Sequence, residues 1–283
     1  MTRRTTASCL HNASASEPHL DHDFTVAAYN AHWGIGRYGR AAGVRFDVAR
    51  VVRDIGADLV VVPEAWRDAE GVSVLDGLED DGYRIETLEY MRLELRPPRR
   101  RRPWSVPRVG SWELGICSRF PVVDRRVVPM GTVWRDAPGP RYALSLTVTI
   151  ADTRVDITGL HTSSKFWRLA PMQHLLTLRR GLDARELHGG GVHGGGLHGG
   201  GLHGGPQILA GDFNFWGPPV GRIMAGWQRP VRGRTYNARR PHSQIDHILV
   251  RGGIEALGGE VLAETPSDHR PIRTRLRLPR GVS

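Results

Sequence analysis

Lysine is almost missing from this chain. Of 39 basic residues only Lys165 is a lysine, which leaves 38 arginines. Alongside 35 glycines and 19 prolines, this points to a compositional bias, so part of the net charge of +10 reflects coding composition and not a ligand. Positive charge on this scale still suits an acidic partner, nucleic acid or a phosphorylated ligand. Cysteine is scarce too. Cys9 and Cys117 lie far apart and form no C-x-x-C pair. That excludes a disulfide-built secreted framework and reads as two unpaired thiols in a reducing compartment. No apolar run approaches the roughly 20 residues of a membrane span. The first 23 residues lack the apolar stretch of a secretory leader. The expectation is an intracellular, cytoplasmic protein whose Ser-, Thr-, Ala- and His-rich residues 1–23 form a disordered arm.

What is present is an alternation of short apolar runs. Phe24–Asn30 reads as a strand ending at a polar residue. Val44, Val48, Val51, Val52 and Ile55 recur at helical spacing. Leu59–Val62 is an unbroken apolar run of the kind covered on both faces. Strand, helix, strand within some forty residues predicts a βαβ unit. Five further strands follow, in YRIETLEYMRLEL, ELGICS, VVDRRVVPM, YALSLTVTI and TRVDITGLHT. A helix over Leu169–Glu186 carries Pro171 in its first turn. Its apolar positions are Leu169, Met172, Leu175, Leu176, Leu178 and Leu182. PQILAGDFN, SQIDHILV and DHRPIRTRLRL supply the last strands.

Polar residues gather where these strands end. Asn30, Glu64, His161, Asp212, Asn214, Asp246, Asp268 and His269 all sit at strand termini or in the adjoining turns, and loop-borne groups held by a rigid sheet are a usual way to build an active site. Asp212 and Asn214 are two apart, so at an extended strand end they face one point, suitable for a hard cation, a water or a phosphate oxygen. Gly211 lets the backbone come close there. Asp246 lies in a buried strand and needs a partner. His269 would be one, with Asp246 fixing its tautomer. Taken singly, each of these is as well explained by an Asx turn, a cap or a structural ion pair.

In order they read N-x-x-W-G (Asn30, Trp33, Gly34), P-E-x-W (Glu64), G-I-x-S-R-x-P-V (Gly115–Val122), G-L-H-T (His161), G-D-F-N (Asp212, Asn214), Q-I-D-H-I (Asp246) and S-D-H-R-P (Asp268, His269). This series resembles the endonuclease/exonuclease/phosphatase superfamily over residues 24–278. The resemblance implies one domain, a four-layer α/β sandwich of two mixed β-sheets packed face to face with helices outside. It implies Mg²⁺-dependent hydrolysis of a phosphoester, with Mn²⁺ able to substitute. By position, Glu64 resembles the principal metal carboxylate, with Asn30 and Asp268 close to the ion. Asp212 resembles the residue that aligns or deprotonates water, and Asn214 its partner on the phosphate. His161, and His269 oriented by Asp246, resemble the histidines that bind phosphate oxygens and assist proton transfer. A glutamate that orients His161 is also implied, and Glu86, Glu89 and Glu94 are open candidates. Arg119, Trp33 and Trp216 are candidate substrate contacts.

The chain also carries HGGGVHGGGLHGGGLHGG, His188–Gly205. Glycine this dense loses too much entropy on ordering to build a rigid ligand cage, and imidazoles suit Zn²⁺, Ni²⁺ or Cu²⁺ better than Mg²⁺. The repeat reads as a flexible insertion, which loop-closure entropy tolerates. Arg99–Arg102 reads as a solvated loop or a phosphate grip. Three functions fit: a metal-dependent nuclease on DNA or RNA, a phosphatase or phosphodiesterase on a small-molecule or lipid head-group phosphate, and a non-catalytic module that kept the fold. The expectation leans to the nuclease, as a monomer.

Overall fold

The computed structural model describes residues 23–38, 42–95, 109–136, 138–165, 169–188 and 205–278. Residues 1–22 of the expected arm, Arg99–Arg102, and His193, His198 and His203 of the repeat lie outside them, whereas Asp23, expected to end the arm, is paired in a strand.

The eleven strands among these residues form two sheets. The first has six: β1 (Asp23–Ala28), β2 (Leu59–Asp68), β3 (Arg84–Glu94), β4 (Val109–Ser118), β10 (Glu255–Val261) and β11 (Ile272–Arg277), in the order β10-β11-β1-β2-β4-β3. The second has five: β5 (Val122–Thr132), β6 (Pro140–Ile150), β7 (Thr153–His161), β8 (Gln207–Asp212) and β9 (Asp246–Arg251), in the order β5-β6-β7-β8-β9. Each sheet holds one parallel pair in its interior, β1 with β2 and β7 with β8. All other pairs are antiparallel.

Alternation within the strands sorts the apolar side chains. Val26, Ala28, Val61, Leu114 and Ile116 from the first sheet meet Leu144, Leu146, Ile157, Ile208 and Ile248 from the second in one core. Each valine, leucine or isoleucine among them contributes roughly 1.5–3 kcal/mol by burial. The opposite face of the first sheet packs on α1 (Val48–Ile55) through Val48, Val52 and Ile55. The outer face of the second packs on α2 (Ala170–His188) and α3 (Gly217–Ile223) through Leu175, Leu178 and Val220. The result is the expected helix–sheet–sheet–helix sandwich.

Local chemistry moved several boundaries. Helical spacing began at Val44, but α1 starts at Val48. Asp47 accepts the Arg50 N–H at 2.8 Å, and Arg45 is drawn into a bridge with Ile35. An aspartate N-cap of this kind stops the helix from extending backwards. Leu169 lies before α2 with φ 54 and is 46% exposed, so it is not on the apolar face. The strand expected to end at Val62 runs on to Asp68. Two elements escaped the pattern reading. α3 is seven residues with two glycines and two prolines, too short for a helical period. β10, EALGGEV, is an edge strand without alternation.

Candidate active site

The two parallel pairs end at the same side of the sandwich, and the site is built there. His161, Asp212 and Asp246 close β7 and β8 and open β9. They are register partners, His161 opposite Asp212 and Asp212 opposite Asp246. Opposed residues in a ladder point to one face, so three side chains stand in a row. From the other sheet, Asn30 follows β1, and Glu64 sits in β2 at a register shift between Val62 and Ala65, with φ 54. A bulge re-aims a side chain at the cost of about 1–3 kcal/mol of backbone strain when a non-glycine residue takes a left-handed conformation.

Asp212 is the hub. Its Oδ2 accepts from Asn30 Nδ2 at 3.0 Å, and its Oδ1 accepts from the Asn214 N–H at 2.8 Å. His161 Nε2 stands 3.6 Å from Oδ2 and His269 Nε2 stands 3.7 Å from it. His161 Nε2 also lies 3.7 Å from Glu64, and His269 Nε2 lies 4.0 Å from Asp268. On its far side His269 Nδ1 meets both Asp246 oxygens, at 2.8 and 3.1 Å. All eight expected catalytic and metal residues therefore fall in one cluster. Asn214 enters through its backbone N–H, and its amide donates to the Thr162 carbonyl at 3.1 Å.

A family profile for the endonuclease/exonuclease/phosphatase family matches residues 27–269, nearly the whole described chain. The chain belongs to that family. Solved members have the same fold. An endonuclease/exonuclease/phosphatase from Beutenbergia cavernae DSM 12333 superimposes with a TM-score of 0.64 at 22% identity, over 91% of this chain and 72% of that one. A mannosyl-6-phosphatase from Bacteroides thetaiotaomicron VPI-5482 gives 0.60 at 18%, over 89% and 99%. ANGEL2, a 2′,3′-cyclic phosphatase, gives 0.63 at 15%, over 91% and 96%. No match to a curated protein sequence is found. As a member of the endonuclease/exonuclease/phosphatase family, the chain is a phosphoester hydrolase.

In this family member the charges are unevenly shared. Burial pushes the Asp212 carboxyl up to about 7; Asp246 and Glu64 add to the rise and His269 opposes it. Glu64 is also raised, by burial and by Asp268 nearby, against the pull of His32, His269 and Asn30. Burial alone would lower His269, but the carboxylates of Asp246 and Asp212 outweigh it and hold the imidazole up at about 10. His161 goes the other way, well below its ordinary value, through burial and the positive charges of Arg141 and His269. The site thus pairs a protonated imidazole with a neutral one.

Asp212, Asp246 and His269 offer ligand atoms within 4.8 Å of one another, close enough to hold a metal ion. Carboxylates that raise each other's pKa form a concentration of negative charge that a divalent cation relieves. The oxygen-rich donors of Glu64, Asp212, Asp268 and Asn30 suit a hard one. The chemistry of the residues present fits the metal that the family resemblance implies.

One expected contact falls elsewhere. Arg119 is not at the site. Its N–H bonds the Asp58 carbonyl at the start of β2, six residues and roughly 20 Å before Glu64, and its guanidinium covers the Tyr83 ring at 4.6 Å. Trp33 is packed between His32, at 5.1 Å, and Trp112, at 6.3 Å. Trp216 is 43% exposed and stacks on Phe215 two residues beyond Asn214. No candidate glutamate orients His161. Glu86 pairs with Arg125, Glu89 accepts from Ser111, and Glu94 is exposed. His161 Nδ1 is buried with no hydrogen-bond partner among the described residues, against Trp112 at 5.3 Å and Tyr90 at 6.4 Å.

That aromatic wall was not legible beforehand. Arg141 lies behind it, 4.9 Å from Trp112 and 5.5 Å from Tyr90, held by Asp136 at 2.6 and 3.1 Å and donating to the His161 carbonyl at 3.4 Å. Nothing in the local spacing marks these residues. His32 and Ser267 were missed too, although both lie inside quoted motifs. The His32 N–H donates to Asn30 Oδ1 at 3.0 Å, and Ser267 Oγ donates to the Asn30 carbonyl at 2.7 Å. Together they lock the Asn30 amide so that its nitrogen faces Asp212.

Proposed function

We infer that this hydrolase is a Mg²⁺-dependent phosphodiesterase acting on nucleic acid. The observation that carries the chemistry is the placement of Asp212. It is fixed by Asn30 and the Asn214 N–H, flanked by two imidazoles, and has a proton affinity near neutrality, the property of an effective general base. In this reading Asp212 takes a proton as the water oxygen bonds to phosphorus. The protonated His269, steadied by Asp246, binds a phosphate oxygen and spreads the charge that builds up there. The P–O ester bond breaks, and the leaving oxygen takes its proton from the protonated His269; the proton now on Asp212, 3.7 Å from His269 Nε2, restores it. Neutral His161 donates its Nε2–H to the phosphate on the other side. Glu64, Asp268 and Asn30 would hold Mg²⁺. A bound Mg²⁺ would screen the phosphate and lower the pKa of water beside it.

Two observations favour nucleic acid, the net charge of +10 and the exposed Trp216 beside Asn214, where a base could stack. Against them, folds shared with a mannosyl-6-phosphatase and a cyclic phosphatase support a second reading, a small phosphoester, since substrate choice lives in loops. The test is a panel of double- and single-stranded DNA, RNA, sphingomyelin, inositol phosphates and nucleotides in Mg²⁺ and Mn²⁺. Cleavage of polynucleotide is expected. Turnover confined to a small or lipid phosphate would replace the nuclease reading with the second one.

A further inference from the structure

Between the two site aspartates Asp212 and Asp246 the chain has no acidic residue, yet it has six arginines, at 222, 229, 232, 234, 239 and 240. The last part of this segment folds back onto the site. Tyr236 bridges to His269 and to Ser243, and the Ala238 N–H bonds the Asp268 carbonyl at 2.8 Å. The Tyr236 ring lies 5.0 Å from His269 on one side and 5.5 Å from His242 on the other. His242, against which it packs, lines a cavity of about 650 Å³ together with Tyr38, Asn237, Arg239, Arg240 and Glu264. Arg37 links the two spaces, with its Nε 4.0 Å from Asp268 and Tyr38 next to it in the chain.

The cavity has an excess of positive charge. Glu264 is its one acid, set against Arg239 and Arg240, with His242 alongside. Elsewhere the exposed arginines often find carboxylates, as Arg53 does with Asp81 and Arg273 with Glu260. Among the described residues Arg239 and Arg240 have no ion-pair partner. Two adjacent guanidiniums left free, beside a hydroxyl and an amide, make a set of donors for phosphate oxygens.

We propose that this cavity is a subsite for a second phosphate group, flanking the one that is hydrolysed, bound by Arg239 and Arg240 with Tyr38 and His242. It rests on the proposed metal-dependent hydrolysis of a phosphoester at this site and narrows it: the substrate carries at least two phosphates close together. Tyr236 touches His242 of the cavity and His269 of the cluster, so a phosphate held in the cavity would lie beside the one that is hydrolysed. A polynucleotide backbone offers that spacing, and so does a small bisphosphorylated ester.

The test uses the full chain carrying Arg239→Ala/Arg240→Ala. Arg84→Ala/Arg154→Ala serves as an equal charge loss at strand ends remote from the site, and Arg239→Lys/Arg240→Lys as the charge-retaining variant. The probes are a thymidine octanucleotide, inositol 1,4-bisphosphate and the single-phosphate ester bis(4-nitrophenyl) phosphate. Binding of the first two is titrated in EDTA over a range of salt, and turnover of all three is followed in Mg²⁺. The alanine pair should weaken one two-phosphate probe about tenfold, with a salt slope shallower by about 1 and the loss of turnover appearing in KM. The lysine pair should recover most of it. Whichever of the two probes responds identifies the source of the second phosphate. The subsite is overturned if wild type binds neither probe, if Arg84→Ala/Arg154→Ala loses as much, or if all three probes lose equally. Arginine-dependent binding without turnover of any probe would reject the proposed hydrolysis at this site and leave the subsite standing. Turnover without arginine-dependent binding would do the reverse.

Discussion

His161 and Asp212 face each other across the parallel β7–β8 ladder, each the last residue of its strand, with Nε2 and Oδ2 3.6 Å apart. Strand register fixes the backbone positions from which the two side chains meet. Asp212→Asn keeps the shape and removes the base. Turnover should fall by about 10²–10⁴, with the circular dichroism spectrum unchanged. Activity within tenfold of wild type would remove Asp212 from the chemistry.

Glu64 is offered to the site by a strained bulge, and an ion bound to it should show in stability as well as in rate. Mg²⁺ at about 100 times its dissociation constant should stabilise the protein by about 2.7 kcal/mol, visible as a rise in Tm, and EDTA should abolish both the rise and turnover. Glu64→Gln should need more Mg²⁺ for the same shift. A wild-type Tm indifferent to Mg²⁺ would count against a metal site here.

Gly211 precedes Asp212 with φ 138, and a Cβ there would lie 2.1 Å from the Leu160 carbonyl oxygen on β7. The close approach holds the two strand ends together. Gly211→Ala should destabilise the fold by about 3 kcal/mol, measured by urea unfolding. A variant with wild-type stability would mean that the strands can part at no cost.

His247 is buried beside the hub, with its Nε2–H donating to the Phe215 carbonyl at 2.9 Å. Burial holds its pKa down at about 4, against an ordinary 6.5. The unfolded chain therefore binds a proton that the folded chain refuses between pH 6.5 and 4. Stability is full above 6.5 and declines as pH falls through that window, by about 3 kcal/mol in all. Unfolding free energies measured from pH 7 to 4 should show this slope, and His247→Gln should flatten it. An unchanged slope in the variant would assign the acid loss to other groups.

Most of the site was legible because most of its groups lie where a recognisable strand ends or begins. G-D-F-N and S-D-H-R-P could be read as strand ends bearing ligating side chains, and the structure brings them together. Glu64 was legible as a residue but not as a bulge, since β2 continues past it to pair with β4. Arg119 was misplaced for a related reason. Its motif follows β4, which runs antiparallel to β2, so it emerges at the end remote from Glu64.

The sequence alone determined most of the elements, the two-sided burial of their central strands and the residues able to do the chemistry, because side-chain period and polar strand ends are local properties of the chain. Only the tertiary structure decided which partners meet. Asn30 and Asp212 are 182 positions apart and share a hydrogen bond, and His161 rests on Trp112 and Arg141 instead of a glutamate. Those contacts depend on strand order and on how two sheets are stacked, and no spacing along the chain encodes the distance between points that folding brings together.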